Sequence, residues 1–337
     1  MVDRERRTLL KVTPVAALAL AGCSGGGGDA SGSTSSATSA STTSTSSESS
    51  SSTRTSTTAS VTIGEAVRGD KMSMVVRSLS KTDSLSEFQT ADAGNTYAVV
   101  ELAVKNETQN AFANFSSFLQ TKLKDASGYA YTPELNVSDS AFQGGQLAPG
   151  EVARGDVAFE VPTDASGLTL QFDFSAFSFT DLNRVTVDLT RTADTVADLR
   201  QSLHVPIHAV GDAVTHDGVT VTVNSVDYET SMGSYTKAPS GHEYAIVDVT
   251  TANGTNDSVA FSSLLQMATK DGSGRSFSYS AAASSQLTRD YSGGEVSSGD
   301  SVRGKVAYEV PTDDSPLYFT FEYSVITGGS KTFWKLR

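Results

Sequence analysis

All four histidines of the chain lie in one 39-residue window, and they are His204, His208, His216 and His242. Imidazole serves both metal binding and acid–base catalysis near neutral pH. With a carboxylate such as Asp212 or Asp217, these side chains could bind zinc and activate water for hydrolysis. However, the spacing matches no zinc motif, and Pro206 would interrupt a helix that places His204 and His208 on one face. A metal-dependent hydrolase is therefore the alternative, and no cofactor is expected.

Other catalytic groups have less support. Residues 61–337 contain no Gly-x-Ser-x-Gly segment, the turn that exposes the serine nucleophile of many hydrolases. Carboxylate pairs occur at Asp313 with Asp314 and at Asp227 with Glu229. General acid–base catalysis needs a buried carboxyl with a shifted pKa, whereas acidic pairs in turns are usually solvated. The sequence therefore predicts a protein that is not an enzyme.

Five Asn-x-Ser/Thr triplets are candidate N-glycosylation sites, at Asn106, Asn114, Asn136, Asn253 and Asn256. A chain rich in serine and threonine contains several such triplets by chance. We expect modification at no more than one or two of them, with those in loops favoured.

The first 23 residues have the character of an export signal. A charged segment with Arg6 and Arg7 precedes a mostly apolar run that is too short to span a bilayer. Arg6 and Arg7, followed by Leu-Leu-Lys at residues 9–11, resemble a twin-arginine export signal. Leu-Ala-Gly-Cys at residues 20–23 resembles the lipobox of lipoproteins. The resemblance implies that residues 1–22 are removed and that lipid on Cys23, the only cysteine, anchors the protein to the extracellular face of the membrane.

Residues 23–60 predict a disordered tether behind that anchor. Of residues 24–60, 25 of 37 are serine or threonine and none is aromatic. Such a segment cannot bury enough apolar surface to offset the loss of chain entropy on folding. Its composition is also compatible with O-glycosylation.

Nearly everything after the tether is repeated. RGDVAFEVPTD at residues 154–164 returns as RGKVAYEVPTD at residues 303–313, and further matched segments keep an offset of 146 to 149 residues. A constant offset over this length indicates duplication of a whole domain. We define the first domain as residues 61–190, the linker as residues 191–206 and the second domain as residues 207–337. Helical spacing of Val196, Leu199 and Leu203 predicts a short helix in the linker, with a loose linker as the alternative.

Within each domain the apolar residues alternate with polar ones, which is the pattern of half-buried strands. The inward rows are Ala98, Val100, Leu102 and Val104; Val157, Phe159 and Val161; and Leu168, Leu170, Phe172 and Phe174, with matching rows in the second domain. No long helical period interrupts them. The sequence predicts an all-β fold, two tandem immunoglobulin-like antiparallel β-sandwiches with one buried and one solvated face on each sheet.

Several of these features together resemble a known family. They are a strand that ends at Asn106 or Asn253, an Asp-x-x-Gly hairpin, a Pro-Gly-Glu turn and the Glu-Val-Pro strand end. These resemble an immunoglobulin-like lipoprotein domain catalogued as domain of unknown function 4352 and grouped with mycobacterial immunoprotective extracellular proteins. The resemblance covers residues 61–189 and 207–337, although Ser298 replaces Pro149 in the second domain. It implies a secreted or surface β-sandwich and carries over no catalytic residue.

The acidic charge narrows the range of partners. The formal net charge is −13, and no basic stripe is present to neutralise phosphates, so nucleic acid is not an expected partner. Aspartate outnumbers glutamate and arginine outnumbers lysine. This bias, together with the export signal and the tether, resembles surface proteins of halophilic archaea.

The preferred function is a non-catalytic lipoprotein that presents its domains to an extracellular or envelope protein or glycan. The third possibility is a lipoprotein that captures a solute for a transporter.

Overall fold

The computed structural model of the chain describes residues 57–135, 138, 140–174, 182–233, 236–313, 315–323 and 330–337. The predicted export residues Arg6 and Arg7, the lipidation site Cys23 and the sequon at Asn136 lie outside the described residues. Of the predicted tether, only its last four residues are described, and they belong to the first strand. Among the described residues, no helix is long and apolar enough to cross a membrane.

The described part of the first domain contains strands and one helical turn. Its elements are β1 (Thr57–Ile63), β2 (Ala66–Arg68), β3 (Met72–Thr82), β4 (Ser84–Ser86), β5 (Gln89–Thr90), β6 (Asn95–Asn106), β7 (Ala113–Phe115), α1 (Ser117–Gln120), β8 (Thr121–Lys124), β9 (Ala130–Tyr131), β10 (Gly145–Leu147), β11 (Val152–Pro162), β12 (Thr169–Asp173) and β13 (Leu182–Thr192). One sheet has the order β1-β13-β12-β8-β9 and the other β11-β6-β3-β2, with two small two-stranded sheets, β10-β7 and β4-β5.

The second domain repeats this arrangement. Its elements are β14 (Ile207–Ala209), β15 (Ala213–His216), β16 (Val219–Glu229), β17 (Ser231–Met232), β18 (Thr236–Lys237), β19 (His242–Asn253), β20 (Val259–Phe261), α2 (Ser263–Gln266), β21 (Met267–Asp271), β22 (Ser276–Phe277), α3 (Ala281–Ser284), β23 (Gly294–Val296), β24 (Ser301–Pro311), β25 (Leu317–Glu322) and β26 (Lys331–Lys335). Its two main sheets have the orders β14-β26-β25-β21-β22 and β15-β16-β19-β24.

The predicted pair of β-sandwich domains is therefore confirmed. One feature differs from a purely antiparallel sandwich, because the first strand of each domain pairs in parallel with the last: β1 with β13 and β14 with β26. This pairing ties the beginning of each domain to its end.

The duplicated phrase forms one long strand of each domain, β11 and β24, which pairs along its length with β6 and β19. The glycine in this phrase is required by a close approach of the backbone. A Cβ at Gly155 would lie 2.6 Å from the Cα of Phe142, and a Cβ at Gly304 would lie 2.5 Å from the Cα of Tyr291. β11 and β6 pair without a shift in register at Gly155, so this glycine does not mark a β-bulge.

The predicted inward rows form the two hydrophobic cores. In the first domain Val100, Leu102, Phe159, Leu170 and Phe172 are fully buried. In the second domain the matching positions pack around Trp334. The β25 strand departs from the predicted alternation, because every residue from Leu317 to Phe321 is buried. Its second face is therefore covered too.

The short helix predicted in the linker is wrong. Residues 193–206 contain no helix, and the segment runs along the first domain, where the backbone N–H of Ala197 donates to the carbonyl of Gly64 (2.8 Å). Leu199 is buried in a cluster with Val75 and Val152, whereas Leu203 packs against a separate cluster. Two burial sites on different surfaces require an extended chain, since a helix would place both leucines on one face.

Candidate functional site

The structure distributes the four histidines over separate places. His204 contacts the carbonyl of Thr108 (3.2 Å), and His208 lies beside the ring of Trp334 (centroids 5.9 Å apart). His216 pairs with Asp217, which is adjacent in sequence (3.1 Å). Among the residues that the structure describes, no three His, Cys, Asp or Glu side chains are grouped to hold a metal. The carboxylate of Asp212 instead accepts a hydrogen bond from the backbone N–H of Ala209 (2.8 Å).

Four of the five sequons are described, and they fall into two classes. Asn106 and Asn253 are buried, and each Nδ2 donates to two backbone carbonyls. These two asparagines therefore close loops in the folded domains. Asn114 and Asn256 are exposed. In the folded protein only this second pair presents its amides to solvent among the described sequons.

The turn that precedes β11 in the first domain packs against the linker that leads to the second domain. At Gly150, φ is +76°, and a Cβ on this residue would lie 1.8 Å from the carbonyl oxygen of Ser202. The linker lies directly over the turn, since Ser202 and His204 donate their backbone N–H groups to the carbonyls of Gly150 (3.0 Å) and Pro149 (2.9 Å). Only glycine leaves room for this contact.

Glu151, the next residue of the turn, is the centre of a buried ion cluster between the domains. Its side chain has no exposed surface, and it pairs with Lys270 and Lys331, whose side chains are 4% and 9% exposed. Lys331 also pairs with Glu322 (2.9 Å) and donates to the carbonyl of Gln146 (2.7 Å). The second oxygen of Glu151 accepts the backbone N–H of Ala148 (2.7 Å).

The pKa values in this cluster reflect a balance between burial and partners. Burial alone would raise the pKa of Glu151, but the ammonium groups of Lys270 and Lys331 outweigh it and hold that pKa below its ordinary value of 4.5. Burial lowers the pKa of Lys270, which pairs with the single carboxylate of Glu151. The pKa of Lys331 is raised despite its burial, because Glu151 and Glu322 both stabilise the charged form.

Apolar side chains surround the ion cluster and explain the second buried face of β25. Ala148 from the turn packs with Tyr318 and Phe333, and Leu203 and Val205 of the linker cover the same patch. The rings of Tyr318 and Phe333 meet edge to face, with centroids 6.2 Å apart. The junction therefore combines a hydrophobic patch with a neutral group of two lysines and two glutamates.

A second group of charges joins the domains around Glu101 in β6. Arg154 of the same domain approaches Glu101 to 2.7 Å, and Arg275 of the second domain approaches it to 3.0 Å. Burial would raise the pKa of Glu101, but hydrogen bonds from these arginines lower it. Beside them, the backbone N–H of Arg154 donates to the carbonyl of Gly274 (2.9 Å).

A cavity of about 800 Å³ lies next to this group, between the two domains. Phe142 and Gln143 of the first domain and Phe277 and Tyr279 of the second line it, together with several serines. Its charged lining groups include Arg275, which is 47% exposed, and Glu309. His242 also lines the cavity, and its Nδ1 is buried without a hydrogen-bond partner among the described residues.

The first domain has a more open groove of about 530 Å³ at the corresponding place. Asp92, Asn95, Tyr129, Tyr131, Glu160 and Pro162 line it at the repeat positions of Pro239, His242, Arg275, Phe277, Glu309 and Pro311. The same surface of the repeat is therefore concave in both domains. At the concave surface of the second domain, the first-domain loop that contains Phe142 and Gln143 adds a further wall.

This junction lies outside the sites predicted from the sequence. The sequence predicts no role for Glu151, Lys270 or Lys331, and His242 is the only candidate functional residue that lines the cavity. A signal was present in the differences between the two copies. Tyr318 and Phe333 stand where the first domain has Thr169 and Thr186, at the same positions of the sheet. Outward-facing aromatic residues in one copy alone indicate a covered surface.

A family model described as "Domain of unknown function (DUF4352)" matches the chain twice, over residues 61–182 and 208–332. No curated protein matches the chain significantly.

Several solved structures align with part of the chain. An uncharacterised β-sandwich protein of Clostridium difficile is 18% identical, with 39% of this chain and 95% of that chain covered and a TM-score of 0.28. The yjhA protein of Bacillus subtilis is 20% identical, with 39% and 100% covered and a TM-score of 0.31. The secreted protein MPT63 of Mycobacterium tuberculosis is 12% identical, with 40% and 99% covered and a TM-score of 0.31. At these identities and TM-scores the likeness carries no information about function.

Proposed function

Because the chain belongs to the DUF4352 family of domains of unknown function, whose description assigns no activity, we propose a function from the junction itself. The protein is a non-catalytic surface lipoprotein whose two domains together bind an extracellular or envelope partner. The observation that carries this proposal is the cavity between the domains, with half-buried aromatic rings and charged groups in its walls. Ligand sites typically combine such apolar walls with a few polar groups and often lie at domain interfaces.

The junction supports binding because it would fix the cavity walls relative to each other. One wall comes from the first domain and one from the second, and the clusters at Glu151 and Glu101 hold the two domains together. A preformed site avoids the entropy loss of ordering its walls when the partner binds. The volume also suits a small solute, which favours capture for a transporter as the second candidate.

The sequence supports attachment to the membrane as part of this proposal. Export by a twin-arginine signal containing Arg6 and Arg7, followed by lipidation of Cys23, would place the protein on the outer face of the cell membrane. The Ser/Thr-rich segment would hold the domains away from the lipid, and the acidic composition suits a surface exposed to high salt. Replacement Cys23→Ser should release the protein into the medium or leave an unprocessed precursor. Unchanged membrane retention would contradict the anchor.

The binding function is tested by affinity capture from intact envelopes with the lipidated, full-length protein. We expect partners recovered with the native protein to be lost with Arg275→Ala, because this side chain lines the cavity. Arg289→Ala is the matched control, since Arg289 is an exposed arginine of the second domain outside the cavity lining. Equal recovery with both variants would contradict a binding role for the cavity, and a co-purified transporter would favour solute capture.

A further inference from the structure

We propose that the cavity between the domains binds a saccharide that carries a carboxylate, such as a uronic acid unit of an extracellular or envelope polysaccharide. This inference rests on the binding function proposed above and specifies the chemical class of the ligand. It follows from three properties of the cavity walls: their hydroxyl groups, their aromatic rings and their available positive charge.

Hydroxyl and amide groups are dense in the walls. Ser140 and Gln143 come from the first domain, and Ser276, Ser278 and Ser280 come from the second. The Nε2 of Gln143 donates to the hydroxyl of Ser278 across the two domains. A serine hydroxyl donates one hydrogen bond and accepts others. A sugar ring presents several hydroxyls with the same double requirement, so this lining can satisfy them from both sides.

Aromatic rings supply the apolar part of the site. Phe142, Phe277 and Tyr279 are half-buried, and each packs against the hydrophobic core of its own domain. Such rings are held by the core and still present surface to the cavity. The C–H face of a pyranose ring is apolar and flat, which suits packing on an aromatic ring, while its hydroxyl edge meets polar groups.

Arg275 supplies the charge that selects a carboxylate. A guanidinium has five N–H donors, and the contact of Arg275 with Glu101 uses one of its terminal nitrogens (3.0 Å). The remaining donors are suited to paired hydrogen bonds with a ligand carboxylate. His242 adds a buried ring nitrogen that has no hydrogen-bond partner in the described part of the chain, and Glu309 adds a carboxylate that can accept from sugar hydroxyls.

The backbone around the cavity favours a saccharide over a peptide. An extended peptide binds by pairing with the free N–H and C=O groups of a strand edge. Here the chain on either side of β22 is already paired: the carbonyl of Gly274 accepts from Arg154 (2.9 Å), and the N–H of Ser280 donates to Ala307 (2.9 Å). In this described part of the wall, side chains therefore provide most of the available contacts.

The test is isothermal titration of the full-length protein with trimers of galacturonate, guluronate and mannuronate and with a hyaluronan tetrasaccharide. For each oligosaccharide the fully methyl-esterified form is the neutral control, since esterification removes the negative charges and keeps the sugar rings and their hydroxyls. We expect at least one acidic oligosaccharide to bind, and its neutral counterpart to bind at least about tenfold more weakly, which is the loss expected for a charge-assisted hydrogen bond.

Three variants locate the site. Arg275→Ala should weaken binding at least about tenfold, whereas Arg289→Ala should leave it unchanged. Because Arg275→Ala also removes a contact with Glu101, Gln143→Glu provides an independent test. This change adds a negative charge to the cavity and leaves the Glu101 group intact, so it should weaken binding of the acidic ligand more than that of the neutral one.

Several results would overturn the proposal. They are no binding of any acidic oligosaccharide, equal binding of the neutral ester, or equal binding of a poly-glutamate peptide of the same charge. If these results occur while envelope capture still depends on Arg275, the ligand class is wrong and the binding function stands. If envelope capture is also independent of Arg275, the proposed function fails as well.

Discussion

The carboxylate that follows the turn glycine has opposite surroundings in the two domains. Glu151 is buried between two lysines, whereas Asp300, at the same position of the second domain, is exposed. Taking a carboxylate out of water is unfavourable unless cations and hydrogen bonds replace the solvent. At Glu151 the cations come from the other domain, so the charge links the two.

Replacement Glu151→Gln should destabilise the protein by about 3 to 5 kcal/mol, the usual effect of removing one partner of a buried ion pair. The loss arises because Lys270 and Lys331 would remain buried with one carboxylate fewer. Asp300→Asn is the matched control and should change the free energy of unfolding by less than about 0.5 kcal/mol. Urea titration followed by the fluorescence of the buried Trp334, which reports the second domain, measures both changes, and similar effects would contradict the role of the cluster.

The lowered pKa of Glu151 also predicts how the junction responds to pH. A carboxyl whose pKa is lower in the folded protein stabilises the fold above its unfolded pKa, and this contribution is lost as the pH falls through the folded value. The difference in unfolding free energy between the native protein and Glu151→Gln should be constant above about pH 5 and shrink below the ordinary value of 4.5. Urea titrations between pH 7 and pH 3 test this. A difference that grows in acid would contradict it.

At the scale of elements, the turn before the long strand has a glycine with positive φ in both domains, but it is the turn of the first domain that contacts the linker. Gly150 and Gly299 both have positive φ, at +76° and +81°. A Cβ at Gly150 would collide with the linker backbone, whereas a Cβ at Gly299 would have no atom of the described structure within 4 Å. Replacing each glycine in turn therefore separates the backbone strain of the turn from the effect of its contact with the linker.

Replacement Gly299→Ala should destabilise the protein by about 1 to 2 kcal/mol, the strain of alanine in the left-handed region. Gly150→Ala should destabilise it more, because the methyl group also displaces Ser202 and the linker from the turn. Hydrogen exchange at the amides of Ser202 and His204 should rise only in the Gly150 variant. Equal destabilisation and unchanged exchange would show that the linker adjusts without loss.

The elements themselves were largely predictable, and the exceptions have a common cause. Alternation places Val100, Leu102 and Phe159 inside because a strand turns successive side chains to opposite faces. The same reasoning fails for Tyr318, whose outward face is covered by another domain. It fails for the linker as well, because Leu199 and Leu203 are spaced to pack into two separate clusters, although their spacing also matches a helical period. Local patterns report the nearest layer of packing and carry little information about the next one.

For the whole molecule, the differences between the two copies show which surfaces form the junction between the domains. The patch at Tyr318 and Phe333 is apolar and covered, while the matching positions of the first domain are Thr169 and Thr186. The free turn of the second domain has Ser298 where the docked turn has Pro149. In repeat proteins the terminal units present polar outer faces, which stop further stacking. Among the described residues, the second domain therefore carries the apolar patch that receives a neighbouring turn, and the first domain has threonines at the matching positions.

The junction should make the two domains unfold together. Trp334 is the only tryptophan and lies buried in the second domain, so its fluorescence reports that domain, whereas far-UV circular dichroism reports both. At neutral pH the two signals should give coincident urea transitions, the behaviour of one cooperative unit. In Glu151→Gln they should separate, because the domains would then unfold at different urea concentrations. Asp300→Asn should keep them coincident, and separate transitions in the native protein would show that the buried ions do not couple the domains.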